Sequence, residues 1–154
     1  MRFKDRYCDE SYIMSDDERP IVSVKDSGSP RQWIGLNQNK KNVVKYRVDG
    51  GIVTSKEESK CDYAVCVDNI TSDTIYLIEL KGCDYKHALD QISSTLDKLI
   101  ISPGIADCSV NGRVVLSRGR NPKIRCSTEP QLIKKLMLLK GNLESKTNKL
   151  QENI

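Results

Sequence analysis

The most constraining feature of this 154-residue chain is a short apolar segment that ends in charge. Residues 74–81 read Thr-Ile-Tyr-Leu-Ile-Glu-Leu-Lys, so four successive apolar residues precede Glu79 and Lys81. A strand without a polar face is typical of the centre of a sheet that is covered on both sides. Strand alternation puts Glu79 and Lys81 on one face, where a carboxylate must be partnered or desolvated. We therefore expect this pair to have a specific role.

A second carboxylate is predicted to join them. Alternating and apolar stretches predict strands at 43–48 and 61–67, and residues 68–73 have the composition of a turn. If that turn closes an antiparallel hairpin, Asp62 returns beside Glu79, because similar numbers of residues separate each acid from the turn. Three charges would then lie at one end of the sheet.

The rest of the chain predicts a mixed α/β fold, with a mixed β-sheet flanked by helices. A helix over 85–101 follows the central strand, with Asp84 as its N-cap and one apolar face. The remaining predictions are a turn at Asn111-Gly112, a strand at 113–117, a helix at 129–140, and a tail at 142–154 that is either a strand or a frayed helix. Residues 1–42 are expected to form an irregular lead-in packed on an α/β domain at 43–154, as one domain overall.

Two neighbouring carboxylates repel one another, so keeping both ionised requires a cation. Oxygen ligands at a partly open site suit Mg²⁺ or Mn²⁺. The Leu80 carbonyl, between Glu79 and Lys81, is a third candidate ligand. The Lys81 ammonium would orient a water or offset charge that develops at phosphorus.

Asp62 followed by Glu79-Leu80-Lys81, on two strands that lead into a helix, resembles the PD-(D/E)XK nuclease superfamily. The resemblance covers roughly residues 43–120, and Cys-Asp stands where the family name has Pro-Asp. It implies a restriction-endonuclease-like core and Mg²⁺-dependent hydrolysis of DNA phosphodiester bonds. It also implies that Asp62 and Glu79 hold the metal and that Lys81 assists the attacking water. The helix that follows often carries a glutamine facing the site in this superfamily, and Gln91 occupies a comparable place.

The chain departs from the family pattern in one respect. Many members have an acidic residue on a helix before the first strand, and residues 1–42 contain no clear helix of that kind. Asp49, Glu57 or Glu58 are candidate replacements. If none of them serves, the fold would persist as a catalytically inactive module that binds nucleic acid or protein.

Charge is divided unevenly along the chain. Residues 1–110 contain 15 Lys/Arg and 18 Asp/Glu, whereas residues 111–154 contain 10 and 3. Such a basic region suggests an anionic partner, although a solvated basic surface is the alternative. Four cations follow the strand at 113–117 and are candidate DNA contacts: Arg118, Arg120, Lys123 and Arg125.

The composition gives expectations about compartment and metal class. No apolar run approaches the roughly 18 residues needed to span a bilayer, so we expect a cytoplasmic protein without a membrane partner. The six cysteines form no CxxC pair and have one histidine, His87, to join them, so we expect free thiols and no zinc site. Trp33 and Tyr46 are candidates for base stacking, although core packing is the better expectation for Trp33.

Three functions therefore stay open at this point. The first is a Mg²⁺-dependent endonuclease, for which a homodimer would allow both strands to be cut. The second is an inactive nuclease-like binding module. The third is an unrelated α/β interaction protein in which Glu79 and Lys81 form only a surface ion pair.

Overall fold

The computed structural model describes residues 1–81, 84–117 and 127–154, without the side chain of Lys81. The elements in these ranges are α1 (Phe3–Arg6), β1 (Ile13–Asp17), β2 (Ile21–Lys25), β3 (Gln32–Leu36), β4 (Val43–Arg47), β5 (Tyr63–Asp68), β6 (Asp73–Lys81), α2 (Tyr85–Leu96), β7 (Cys108–Leu116), α3 (Thr128–Leu138), β8 (Leu143–Thr147) and β9 (Lys149–Asn153). A π-helical turn, Asp97–Ile101, continues α2.

The larger of two sheets has six strands in the order β1-β4-β5-β6-β7-β8. The pairs from β1 to β6 are antiparallel, whereas β6–β7 and β7–β8 are parallel. The parallel crossover from β6 to β7 contains α2, as such connections usually do. The prediction of a mixed sheet with helices packed on it is therefore confirmed at this level.

The apolar segment of β6 lies at the centre of this sheet and is covered on both faces. Ile75 and Leu77 belong to a core that includes α2, whereas Tyr76 and Ile78 belong to a second core on the opposite face. All four are at most 6% exposed. This confirms the expectation drawn from its lack of a polar face.

The second core is closed by a three-stranded sheet in the order β2-β3-β9, with β3 and β9 parallel. The prediction that residues 1–42 are irregular is wrong, because they supply α1, the edge strand β1, and both β2 and β3. In β2 only Val22 and Val24 are buried while their neighbours are exposed, so the strand has a short apolar face. Trp33 on β3 is fully buried, as expected.

The predicted helix at 85–101 is confirmed by α2 and its π-helical turn. The Asp84 carboxylate accepts a hydrogen bond of 3.0 Å from the His87 N–H, so Asp84 is the N-cap. Of the two alternatives for the tail, strands are correct, since β8 and β9 occupy it.

The predicted turn at Asn111-Gly112 is wrong, because both residues lie within β7. The glycine is needed for packing there. A Cβ atom at Gly112 would lie 3.0 Å from Leu143 Cδ1 and 3.3 Å from side-chain atoms of Ile92 and Leu136. The absence of a side chain therefore lets α2 and α3 lie close to the sheet.

Candidate active site

Asp62 and Glu79 lie opposite one another, as the hairpin predicts. The β5–β6 register pairs Tyr63 with Ile78, so the preceding and following residues, Asp62 and Glu79, face each other where the hairpin opens. The two side chains are close enough to interact, since Glu79 is one of the groups that lower the pKa of the Asp62 carboxyl.

The main chain holds Asp62 from two sides. Its carbonyl oxygen accepts a 3.0 Å hydrogen bond from the Val48 N–H. Its side-chain Oδ2 accepts a 2.9 Å hydrogen bond from the Leu80 N–H. Because the N–H and C=O of one strand residue point to the same edge, the Leu80 carbonyl also faces the Asp62 side of β6.

The pair lies in a partly desolvated environment. Glu79 is 1% exposed and Asp62 is half-buried. Burial raises the pKa of the Asp62 carboxyl above its ordinary value, and the hydrogen bond from Leu80 and the interaction with Glu79 lower it less than burial raises it. Full ionisation of both carboxyl groups is thus electrostatically unfavourable, which is the property expected of carboxylates that receive a cation.

Lys81 is the last residue of β6 and pairs with Leu116 of β7. Its side chain lies outside the described part of the structure. Its proposed contact with the two acids is therefore an expectation from strand alternation.

Gln91 contacts the segment that carries Asp62. Its Nε2 donates a 3.0 Å hydrogen bond to the Lys60 carbonyl, and its Oε1 is buried without a hydrogen-bond partner among the described residues. The described contact of Gln91 is thus with the main chain two residues before Asp62. The predicted role of Gln91 at the two acids stays a prediction.

Thr95 is a site residue that the sequence reasoning missed. Its Oγ1 accepts a 2.8 Å hydrogen bond from the Cys61 N–H and donates one of 2.8 Å to the Gln91 carbonyl. Gln91 and Thr95 therefore fasten residues 60–61 to α2. The signal was available, because residues four apart lie on one face of a helix.

A pocket of about 170 Å³ adjoins Asp62 and is lined by Arg47, Asp49, Asp62 and Tyr63. Asp49 is thus the candidate at this site for the acidic residue that many PD-(D/E)XK members have before the first strand. Its charge also raises the pKa of Asp62. The Lys60 ammonium lies 3.8 Å from Asp49 Oδ1. Glu57 is exposed and does not line this pocket, so it does not serve this role. Glu58 does not serve it either, because it forms an ion pair with Lys98 and lines different pockets from Asp62.

The oxygen atoms of Asp62, Glu79 and the Leu80 carbonyl are of the kind that a hard divalent cation prefers. Among residues 1–81, 84–117 and 127–154, no group of three or more acidic, His or Cys side chains is arranged to hold a metal ion. Mg²⁺ commonly takes one or two carboxylates and keeps several waters, so Asp62, Glu79 and the Leu80 carbonyl form an adequate oxygen set.

The described cysteines agree with the expectation of free thiols. Cys8, Cys61, Cys66 and Cys108 are unpaired, whereas Cys83 and Cys126 lie outside the described residues. Burial raises the pKa of the Cys61 thiol, so it stays protonated beside the carboxyl pair.

Several other predicted contacts can be placed. His87 is exposed, and Tyr46 is fully buried, so its ring is not accessible for base stacking. The candidate DNA contacts Arg118, Arg120, Lys123 and Arg125 all lie outside the described residues. Their loop follows Ser117, whose Oγ accepts a 2.6 Å hydrogen bond from Arg31.

Comparison of the chain with models of protein families, with curated proteins and with solved structures finds no match. Within the part of the chain that the structure describes, no helix is both long and apolar enough to cross a membrane. The site geometry therefore carries the functional argument.

Proposed function

We propose that this protein is a Mg²⁺-dependent (or Mn²⁺-dependent) endonuclease with a restriction-endonuclease-like core that hydrolyses DNA phosphodiester bonds. The observation that carries the proposal is the β5–β6 register, which places Asp62 opposite the buried Glu79, where the two side chains interact. The passage from β5 through β6 to α2 supports it, since strand, strand and helix is the order on which the PD-(D/E)XK resemblance rests. DNA is the proposed partner, a homodimer the proposed assembly, and the cytoplasm the proposed location.

Each residue has a distinct proposed role. Asp62, Glu79 and the Leu80 carbonyl would hold the metal. The chemistry that such an ion supplies is polarisation of a phosphoryl oxygen and a lower pKa for its bound water. Lys81 would orient the attacking water and offset negative charge in the transition state.

The hydrogen bonds from α2 support this mechanism by fixing the metal-binding segment. Gln91 and Thr95 hold the main chain of residues 60–61, so Asp62 can remain near Glu79 when both are ionised. Gln91 is accordingly a positioning residue in this proposal. Exact placement is important because catalytic rates are sensitive to shifts of about 1 Å.

The test is cleavage of supercoiled and linear DNA with Mg²⁺ or Mn²⁺ by the wild-type protein and by two variants. Glu79→Gln removes a metal ligand with little change in shape, and Lys81→Met removes the ammonium. We expect each to lower the cleavage rate by at least about 100-fold. Glu57→Gln is the matched control, because Glu57 is an exposed carboxylate.

Cleavage that survives both substitutions would reject the nuclease proposal. The inactive-module alternative makes a different prediction, which is DNA or protein binding without cleavage and without Mn²⁺ uptake by calorimetry. Mn²⁺ uptake that Glu79→Gln abolishes and Glu57→Gln retains would favour the enzyme.

A further inference from the structure

The pocket beside Asp62 contains a cation that forms no ion pair with a described residue. Two nearby acids have cationic partners of their own, since Asp26 pairs with Arg31 at 3.2 Å and Asp49 lies 3.8 Å from Lys60. Arg47 lines the same pocket, is exposed, and forms no ion pair among the described residues. Its guanidinium is therefore available to an anion from solution.

Strand pairing fixes where this cation lies. Arg47 is the last residue of β4 and pairs with Tyr63, the residue after Asp62. Its N–H donates to the Tyr12 carbonyl at 2.9 Å, and its carbonyl accepts the Ile52 N–H at 3.0 Å. Both the N–H and the C=O of Arg47 are therefore hydrogen-bonded, which fixes the position of its Cα atom beside the pocket.

The chemistry of the two side chains suits a phosphate group. A guanidinium presents paired N–H donors that match phosphate oxygens, and it stays charged at all working pH values. Tyr63 lines the same pocket, and a phenolic hydroxyl can donate a hydrogen bond to a phosphate oxygen. A phosphate next to Asp62 would also lie close to a metal held by the carboxyl pair.

We propose that Arg47, assisted by Tyr63, binds a backbone phosphate of nucleic acid and thereby presents the adjacent phosphodiester to Asp62 and Glu79. The assignment of nucleic acid as the ligand rests on the proposed function. The contact itself is independent of sequence, because a phosphate carries no base information.

The experiment measures binding of a fluorescein-labelled DNA duplex by anisotropy in Mg²⁺, over a range of salt concentrations. All proteins carry Lys81→Met, so that bound DNA stays intact while the metal ligands are unchanged. Arg47→Ala and Arg47→Lys are compared with Arg19→Ala, which removes an exposed arginine paired with Asp17. Circular dichroism confirms that each variant is folded.

We expect Arg47→Ala to weaken binding by about 10-fold and to reduce the slope of log K against log salt by about 0.9, the value for one lost contact with duplex phosphate. Arg47→Lys should be intermediate, because it keeps the charge but not the paired donors. Arg19→Ala should change affinity by less than about 2-fold. Tyr63→Phe should weaken binding less than Arg47→Ala does.

Equal effects of Arg47→Ala and Arg19→Ala, or no DNA binding by the parent protein, would overturn the inference. Displacement of DNA from the Arg47 site by low concentrations of inorganic phosphate would also overturn it, since the site would then serve a free anion. Failure of the nuclease proposal is distinguishable. In that case DNA binding would still depend on Arg47, while the protein with Lys81 intact would not cleave DNA.

Discussion

Replacing Asp62 with asparagine is predicted to stabilise the metal-free protein at neutral pH while removing metal binding and cleavage. The asparagine Oδ1 can still accept the Leu80 N–H, which is 2.9 Å from Asp62 Oδ2. Its amide can also donate to Glu79, which an ionised Asp62 carboxylate cannot do. The substitution thus replaces two carboxyl groups that repel one another by an amide N–H donor at position 62 and a carboxylate acceptor at Glu79.

The sign of the pH dependence follows from the pKa of Asp62. Because burial raises it, the folded protein binds this proton more tightly than the unfolded chain does. The contribution of Asp62 to stability is therefore fully present below its unfolded pKa, about 3.9, and is lost as pH rises through the folded pKa. Each unit of the shift costs about 1.4 kcal/mol at higher pH.

The expected size can be worked from the groups involved. A hydrogen bond to a charged group contributes about 1.5–3 kcal/mol. The asparagine amide oxygen is a weaker acceptor for the Leu80 N–H than the carboxylate is. The new hydrogen bond from the asparagine N–H to ionised Glu79 offsets this loss. Together with the lost repulsion, we expect Asp62→Asn to raise the free energy of unfolding by about 1 kcal/mol at roughly pH 8. Near pH 4 the difference should be close to zero, because the pair then holds its proton without cost.

The assay is urea unfolding of the wild type, Asp62→Asn and the control Glu57→Gln in EDTA at both pH values. Mg²⁺ at about 100 times its Kd should then stabilise the wild type by about 2.7 kcal/mol and leave Asp62→Asn unchanged. If Asp62→Asn lowers stability equally at both pH values, Asp62 is an ordinary structural carboxylate and the reasoning is refuted.

Three further substitutions test interactions that stabilise the rest of the fold. Glu152→Ala should lower the free energy of unfolding by about 3–5 kcal/mol, because it leaves the buried Arg113 guanidinium, now 2.8 Å from Glu152, without its counter-charge; a loss below 1 kcal/mol, by urea unfolding, would contradict this. Tyr46→Phe should stabilise by about 1 kcal/mol, since the Tyr46 hydroxyl is buried without a hydrogen-bond partner among the described residues; a lower thermal midpoint would count against it. Asp84→Ala should cost about 1 kcal/mol through loss of the N-cap bond to the His87 N–H, with Asp84→Asn retaining most of the stability.

The parts of the site that the sequence predicts are those set by local geometry. A hairpin closed by a short turn determines its own register, so counting residues from the turn brings Asp62 opposite Glu79. The helix after β6 is predicted because its apolar spacing, its N-cap and its length all agree. Neither inference requires knowledge of distant parts of the chain.

The parts that the sequence reasoning missed depend on distant segments. The strands of the smaller sheet are five residues long, and β3 pairs with β9 more than one hundred residues later, so no local pattern indicates the partnership. Gly112 has the composition of a turn, but it serves close approach between layers that form only in the folded chain. The proposed role of Arg47 likewise depends on which neighbouring charges are already paired.

The chain passes between the two sheets at β1–β2, β3–β4 and β8–β9, and the last of these connections is the shortest, with Asn148 alone between the strands at a φ of 67°. Loss of residues 149–153 would uncover the edge of β3 and the indole of Trp33, whose N–H donates to Glu152. An exposed strand edge beside a large apolar side chain is a template for association with other chains. Truncation before Lys149 should therefore convert a stable protein into an aggregating one, even though every residue of the carboxyl pair and its pocket would remain.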